Sequence, residues 1–308
     1  MKQAIAAGLY PGMTNISKVL TTLLLSLSAC VDVPDDGDSF DDTDELGSTD
    51  QAISALQLLT ISDSVESPSS NPETAFQAAI GVNKACFLTG VGGNISRDNA
   101  GSSVSTSVGF DYVPVPRGLG GTWTMRAHAG TSSTTTYGQG ECFTAPGLTP
   151  EVQLVVAAGD PTKRIKLADF SATRRCFFTK VKTTGLGAFR STSDNVVIDH
   201  DANEWFVQAS VAGATTISAR CVNITQDLGT YWLYSLNEAI SVEVPYSTDS
   251  SCLLTQISGR IDGGPSTEGP HTVTTALQIG GPLRRFFVVG GVPSTSVGGN
   301  GGRVTCVR

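Results

Sequence analysis

Cys86-Phe-Leu-Thr89 opens a pattern that the chain repeats as Cys176-Phe-Phe-Thr179 and Cys252-Leu-Leu-Thr255. A second cysteine follows each copy, at Cys142, Cys221 and Cys306. An aromatic-led run precedes each second cysteine, beginning at Trp123, Trp205 and Phe286. Self-similarity of this kind is typical of a repeated supersecondary unit. We therefore predict three β repeats, at residues 55–142, 152–221 and 230–308.

The six cysteines of the repeats suffice for three disulfides, and a seventh, Cys30, lies upstream. Six cysteines allow fifteen pairings. Pairing within each repeat is favoured, because a duplicated ancestor could have formed that bond alone, and it gives Cys86–Cys142, Cys176–Cys221 and Cys252–Cys306. The alternative pairs Cys142 with Cys176 and Cys221 with Cys252, and joins Cys86 to Cys306 around a closed ring.

The repeats predict an all-β fold. Residues 205–211 alternate in character, with Trp205, Val207 and Ala209 on one face, which is the period-two pattern of a half-buried strand. The body is rich in Gly, Ser and Thr and has frequent turn residues. Two architectures fit: three small sandwiches in tandem, or one pseudo-three-fold body in which each unit supplies a sheet. Two apolar runs before an opening cysteine, as at residues 152–157 and 165–170, are hairpin candidates.

The N-terminal region has the layout of a secretory signal. An apolar run from Val19 to Ala29 follows Lys18 and is too short to span a bilayer. The tetrad Leu27-Ser28-Ala29-Cys30 resembles the lipobox of bacterial lipoproteins. This resemblance implies a signal peptide over residues 1–29 and a lipidated Cys30 that anchors the chain in a membrane. Two or three acyl chains give stable anchoring.

The residues around the anchor refine this expectation. Val31, rather than an aspartate, follows Cys30, and in the lipoprotein sorting pattern this implies the outer membrane, on its periplasmic or its surface face. Met1 and Met13 are alternative starts, since Met13 gives a shorter basic region. The stretch Glu45-Leu-Gly-Ser-Thr-Asp-Gln-Ala-Ile-Ser54 resembles segments that follow export signals in myxobacterial secreted proteins. The body resembles no characterised family.

The charge is concentrated between the anchor and the repeats. Residues 31–50 hold nine of the 28 acidic residues and no Lys or Arg, which predicts a disordered acidic tether over residues 30–54. Beyond the tether, acidic and basic residues are nearly balanced. The body therefore lacks the basic field that nucleic acid binding requires.

No motif for a reaction or a cofactor is present. The chain has no Gly-x-Ser-x-Gly elbow, and its three histidines, His128, His200 and His271, are scattered. Residues 199–204 group the oxygen ligands Asp199, Asp201, Asn203 and Glu204 as a weak metal candidate, although a solvated hairpin turn is the favoured interpretation. The glycine-rich residues 298–302 are interpreted as a hairpin loop, and the repeated aromatics as core.

Three functions remain open at this point. The favoured one is a non-enzymatic surface module that binds a glycan or a protein, because three copies on one body would gain avidity. A structural envelope lipoprotein is the second. A hydrolase that uses Asp199, Asp201 and Glu204 is the third.

Overall fold

The computed structural model describes residues 54–64, 73–81, 83–93, 95, 105–114, 120–128, 135–184, 189–236, 238–261, 271–278, 282–290 and 299–308. They all belong to one compact unit that spans Thr49–Arg308. The described residues form strands and no helix, which confirms the all-β class. Within this part of the chain, no helix is long and apolar enough to cross a membrane.

The described residues form eighteen strands, which we number in chain order and group into three units of six. The first six are β1 (Ser54–Ser64), β2 (Glu73–Gly81), β3 (Lys84–Gly93), β4 (Ser105–Pro114), β5 (Gly121–His128) and β6 (Thr135–Thr144). The next six are β7 (Val152–Val156), β8 (Lys163–Asp169), β9 (Arg174–Thr184), β10 (Asn195–His200), β11 (Glu204–Ser210) and β12 (Ala214–Asn223). The last six are β13 (Asp227–Ser235), β14 (Ile240–Val244), β15 (Ser251–Gly259), β16 (Thr272–Gln278), β17 (Arg284–Gly290) and β18 (Asn300–Val307).

The strands of the described residues form three six-stranded sheets, and each sheet is shared between two units. Sheet I has the order β1-β6-β3-β16-β17-β14, sheet II the order β7-β12-β9-β4-β5-β2, and sheet III the order β13-β18-β15-β10-β11-β8. Every sheet thus joins the first, sixth and third strands of one unit to the fourth, fifth and second strands of another. Since sheet I joins the first unit to the third, the three units close into a ring.

This sharing corrects two expectations. A sheet does not come from a single unit, because each unit is divided between two sheets. The hairpin candidates are also wrong. β7 pairs with β12 and β8 pairs with β11, so the two runs belong to different sheets. The glycine-rich loop needs a smaller correction, since Gly301 and Gly302 lie inside β18.

The threonine of each Cys-apolar-apolar-Thr motif is the extra residue of a β-bulge. The ladder register shifts at Thr89 in β3, at Thr179 in β9 and at Thr255 in β15. A bulge places two residues opposite one and bends the strand. Apolar side chains on the two sides of the bulge are therefore three positions apart, as in the buried Leu88 and Val91.

Three disulfides join the third and sixth strands of each unit, and they are the pairs within the repeats: Cys86–Cys142, Cys176–Cys221 and Cys252–Cys306. Each pair lies directly opposite in its ladder, with Cα atoms 4.1, 3.9 and 4.0 Å apart. Side chains of directly opposite antiparallel residues project to the same face, so the two sulfurs meet. The first and last units touch as the alternative pairing would require, and the disulfides nevertheless stay within the units.

Two hydrophobic clusters occupy the interior. The larger takes residues from all three sheets and includes Trp123, Trp205 and the cysteines. The smaller is built from residues next to the cysteines, among them Phe87, Phe143, Phe177, Val222, Leu253 and Val307. Phe87 of the first unit contacts Phe177 of the second, with ring centroids 5.3 Å apart. The first apolar residue of each motif thus helps to hold the three units together.

Candidate functional site

The junctions inside the three sheets share one register, which defines equivalent positions. At each junction, a valine of the fourth strand of one unit lies opposite an apolar residue that follows the bulge of another: Val108 with Val181, Val196 with Ile257, and Val273 with Val91. On the other side, the same valines pair with Ala127, Ala209 and Val289. Four residues earlier in those strands stand Trp123, Trp205 and Arg285, which we call the inner position.

Arg285 at the inner position corrects the sequence alignment of the aromatic runs. The sequence pattern aligns Phe286 with Trp123 and Trp205. In the structure Phe286 is only half-buried and lies on the opposite face of β17 from Arg285. Trp123 and Trp205 are buried, as a core role requires. In the third unit a buried arginine stands in place of the tryptophan.

The residue just before each second cysteine defines a second equivalent position, which we call the partner position. Its occupants are Glu141, Arg220 and Thr305. In sheets I and II the partner position of one unit contacts the inner position of another, and in sheet III the two positions line one cleft. The side chains that meet there differ completely, and they decide whether the junction is closed.

In sheet II, an arginine closes the junction. The Arg220 guanidinium lies over the rings of Trp123 and Tyr112, 5.3 and 4.8 Å from their centroids. This is the geometry of a cation–π contact. The Trp123 Nε1–H donates a 2.9 Å hydrogen bond to the Lys84 carbonyl, so the indole is fully used.

In sheet I, a buried ion pair closes the junction. Glu141 and Arg285 have side chains 0 % and 1 % exposed, and Arg285 Nη2 lies 2.8 Å from Glu141 Oε1. The Ser251 hydroxyl donates to Glu141 Oε2. Burial raises the pKa of Glu141 above its usual value, against the opposing effects of the Arg285 charge and the two hydrogen bonds.

In sheet III the partner position holds the small Thr305, and the Arg175 guanidinium lies 5.6 Å from the centroid of the Trp205 ring. A cleft with an interior volume of about 100 Å³ lies beside Thr305 and Trp205. Strands of the second and third units both line it: Arg175, Ile198, Asp199, His200, Asp227, Thr230, Thr255 and Arg303 complete the walls together with Cys176 and Phe177. We call this space the junction cleft.

The charges of the junction cleft are paired with one another. Arg303 Nη1 lies 3.3 Å from Asp199 Oδ2, and its Nε donates to Thr255 Oγ1 at 3.2 Å. Arg175 donates from Nε and Nη2 to Asp227 Oδ2 at 2.9 and 2.7 Å. Two arginines thus face two aspartates, and the cleft presents polar groups without a net charge from these residues.

Aromatic rings line one side of the cleft and lead to its rim. The rings of Trp205 and His200 have centroids 4.7 Å apart, and Phe170 lies 4.8 Å from His200 on the outer side. The Trp205 Nε1–H is buried and has no hydrogen-bond partner among the described residues. Burying a hydrogen-bond donor without an acceptor costs free energy. A ligand that offers an acceptor to this N–H would remove that cost and bind more tightly.

The structure gives no support to the metal candidate. Residues 201–203 form the turn between β10 and β11, and Asp199 and Glu204 lie in the two flanking strands, as the hairpin interpretation predicted. Arg164 Nη2 binds both Asp201 Oδ2 and Glu204 Oε1, at 2.6 and 2.8 Å, while Asp199 belongs to Arg303. The hydrogen bond from Arg164 lowers the pKa of Asp201 to about 2. The described residues hold no group of His, Cys, Asp and Glu arranged to bind a metal ion.

The remaining sequence candidates are dispersed. His128 lies in β5, His200 in β10 and His271 just before β16, so each belongs to a different sheet. Cys30, the predicted signal peptide and the predicted tether lie outside the described residues except for the last tether residue, Ser54, which is the first residue of β1.

Similarity to known proteins adds no name to this site. No family model matches the chain, and no curated protein matches it significantly. The geometry of the cleft is therefore the basis for a functional proposal.

Sequence reasoning missed Thr305, Arg303 and Arg285. A signal for the first was present, because Glu141, Arg220 and Thr305 all directly precede a second cysteine. Their different sizes and charges stood out against the repeat. What was missing was the knowledge that this position faces another unit.

Proposed function

We propose that this protein is an exported lipoprotein, held in the outer membrane through Cys30, whose β-rich body is a non-enzymatic module that binds a glycan or a protein. The junction cleft of sheet III is its ligand site. Three disulfides support export, since they persist in oxidising compartments.

One observation carries the proposal: at two of three equivalent junctions the side chain at the partner position covers the inner position, whereas in sheet III Thr305 does not, and a cleft lies there although the Arg175 guanidinium is 5.6 Å from the Trp205 ring centroid. Arg220 fills sheet II, and the pair Glu141–Arg285 fills sheet I. A repeated scaffold gains nothing in stability from an open junction, because an unfilled space loses packing contacts. Concave sites with a few oriented polar groups are where ligands bind.

The cleft is tested by filling it. Thr305→Arg places at the partner position the side chain that Arg220 supplies in sheet II. We expect the full-length variant to fold and to lose the ligands that the wild-type protein retains on an array of glycans and envelope proteins. Thr124→Arg, on half-buried Thr124 of β5 in sheet II, is the matched control and should keep them.

The results have distinct meanings. Equal binding by Thr305→Arg and wild type would remove the cleft from the proposal. An array with no retained ligand of either class would remove the binding function.

The anchor is tested by Cys30→Ser. We expect the wild-type protein in the membrane fraction and the variant outside it, because the acyl chains supply the membrane affinity. A Cys30→Ser protein that stays in the membrane fraction after a high-salt wash would overturn the lipoprotein assignment.

A further inference from the structure

The edge strand β13 carries an aromatic pair, exposed Trp232 and half-buried Tyr234, next to the junction cleft. Trp232 is 58 % exposed, although it lies in a regular strand of sheet III. The ring of Tyr234, two residues later, is parallel to the Trp232 ring within 9°, with centroids 6.4 Å apart. We call these two rings the aromatic platform.

Two glycines, one just before β18 and one within it, make room for the Tyr234 ring. Tyr234 lies opposite Gly301 in the ladder. A Cβ atom at Gly301 would come within 2.9 Å of Tyr234 Cδ2, and one at Gly299 within 2.4 Å of the Tyr234 hydroxyl. The tyrosine ring therefore lies directly on bare backbone, which only glycine permits at this distance.

The platform and the cleft form one surface. Trp232 lies opposite Arg303 and Thr230 opposite Thr305, and directly opposite residues project to the same face. Arg303, Thr305 and Thr230 all line the cleft. A ligand that lies on Trp232 thus reaches the Arg303–Asp199 pair without leaving this face.

We propose that the platform and the cleft together bind a neutral polysaccharide chain, an inference that rests on the binding function proposed above. The exposed Trp232 ring offers its face to the C–H side of a sugar ring, the parallel Tyr234 ring extends the aromatic surface, and the neighbouring Arg303, Asp199 and Thr230 supply donors and acceptors for hydroxyl groups. The paired charges of the cleft favour a ligand without net charge, because a charged polymer would compete with Asp199 or Arg303 for its partner. Tryptophan has a large apolar ring with a polar N–H, so Trp232 at 58 % exposure can contact both the C–H face and a hydroxyl group of a sugar.

The test is affinity electrophoresis of the full-length protein in gels that contain laminarin, xylan, dextran or, as an anionic counterpart, alginate. At least one neutral polymer should retard the wild-type protein. Trp232→Ala should weaken that retardation by about tenfold or more, since aromatic anchors dominate binding energies. Leu236→Ala is the control, because Leu236 is 64 % exposed and near the platform but has no ring.

The outcomes separate this inference from the proposed function. Retardation that Thr305→Arg abolishes and Trp232→Ala leaves unchanged would overturn the platform and keep the cleft. Retardation by alginate alone would overturn the neutral ligand. Binding of the body to a protein, to a phosphatidylglycerol vesicle or to a second copy through the edge of β13, with no retardation by any polysaccharide, would overturn the glycan and keep a binding role.

Discussion

The junctions of sheets I and III place different residues at the same two positions. In sheet I, Arg285 and Glu141 form a buried ion pair, whereas in sheet III the same positions hold Trp205 and Thr305 beside an open cleft. The strand order and the disulfide are the same in both. The comparison shows that the same strand arrangement accommodates either a buried ion pair or a cleft, depending on the side chains that face each other there.

The largest expected effect comes from breaking the sealed junction. Arg285→Met leaves the Glu141 carboxylate buried without its partner, which should lower the free energy of unfolding by about 3–5 kcal/mol. Urea unfolding measures this change. Arg303→Met in the cleft is the matched control: its ion pair with Asp199 is partly exposed, so the loss should be about 1 kcal/mol or less.

A double variant sharpens the same experiment. Glu141→Leu with Arg285→Met removes both charges and should recover most of the loss, because an apolar pair of similar volume needs no desolvation of ions. Equal losses for Arg285→Met and Arg303→Met would contradict the contrast between the two junctions.

A smaller effect is expected from the two tryptophans. Trp123→Phe removes the hydrogen bond from Nε1 to the Lys84 carbonyl and should cost about 1 kcal/mol more than Trp205→Phe, whose Nε1 has no partner to lose. Thermal or urea unfolding of both variants gives the difference. A larger loss for Trp205→Phe would show that its indole nitrogen is already bonded in the free protein.

The smallest effect concerns the exposed turn beside the cleft. Arg164 holds the pKa of Asp201 at about 2, below its unfolded value near 3.9. A lowered folded pKa means that this contribution to stability is present above about pH 4 and is lost as the pH falls through about 2. A carboxyl NMR titration should therefore find Asp201 near 2, and Arg164→Met should move it up toward 3.9. An unchanged midpoint in Arg164→Met would assign the shift to the backbone hydrogen bonds of the turn instead.

Particular residues show which parts of the fold could be predicted from the sequence. Alternation placed Trp205, Val207 and Ala209 on one buried face, and the structure confirms it. The repeat of Cys-apolar-apolar-Thr led to the disulfide pairs that the structure contains. It did not predict the bulge at the threonine. The spacing of three residues between the buried Leu88 and Val91, instead of two, is the sequence feature that corresponds to this bulge.

The sequence did not predict which strands belong to the same sheet. The runs that form β7 and β8 are close in the chain, and their spacing predicts a hairpin. In the structure β7 instead pairs with β12, and β8 pairs with β11. Alternation indicates which face of a strand is buried and carries no information about the neighbouring strand. The inner position was likewise shifted by one residue in the third unit, because Arg285 lacks the apolar character that the alignment followed.

The sequence by itself determined the β class and the three-fold pattern of cysteines, because local alternation and repetition are written residue by residue. Only the tertiary structure decided that the units share their sheets, that Glu141 meets Arg285, and that Thr305 leaves a cleft beside Trp205. These contacts join residues of different units, and their energies depend on burial and on the size of the facing side chain. Burial and the identity of the facing side chain are defined only in the folded chain, in which the three units are in contact.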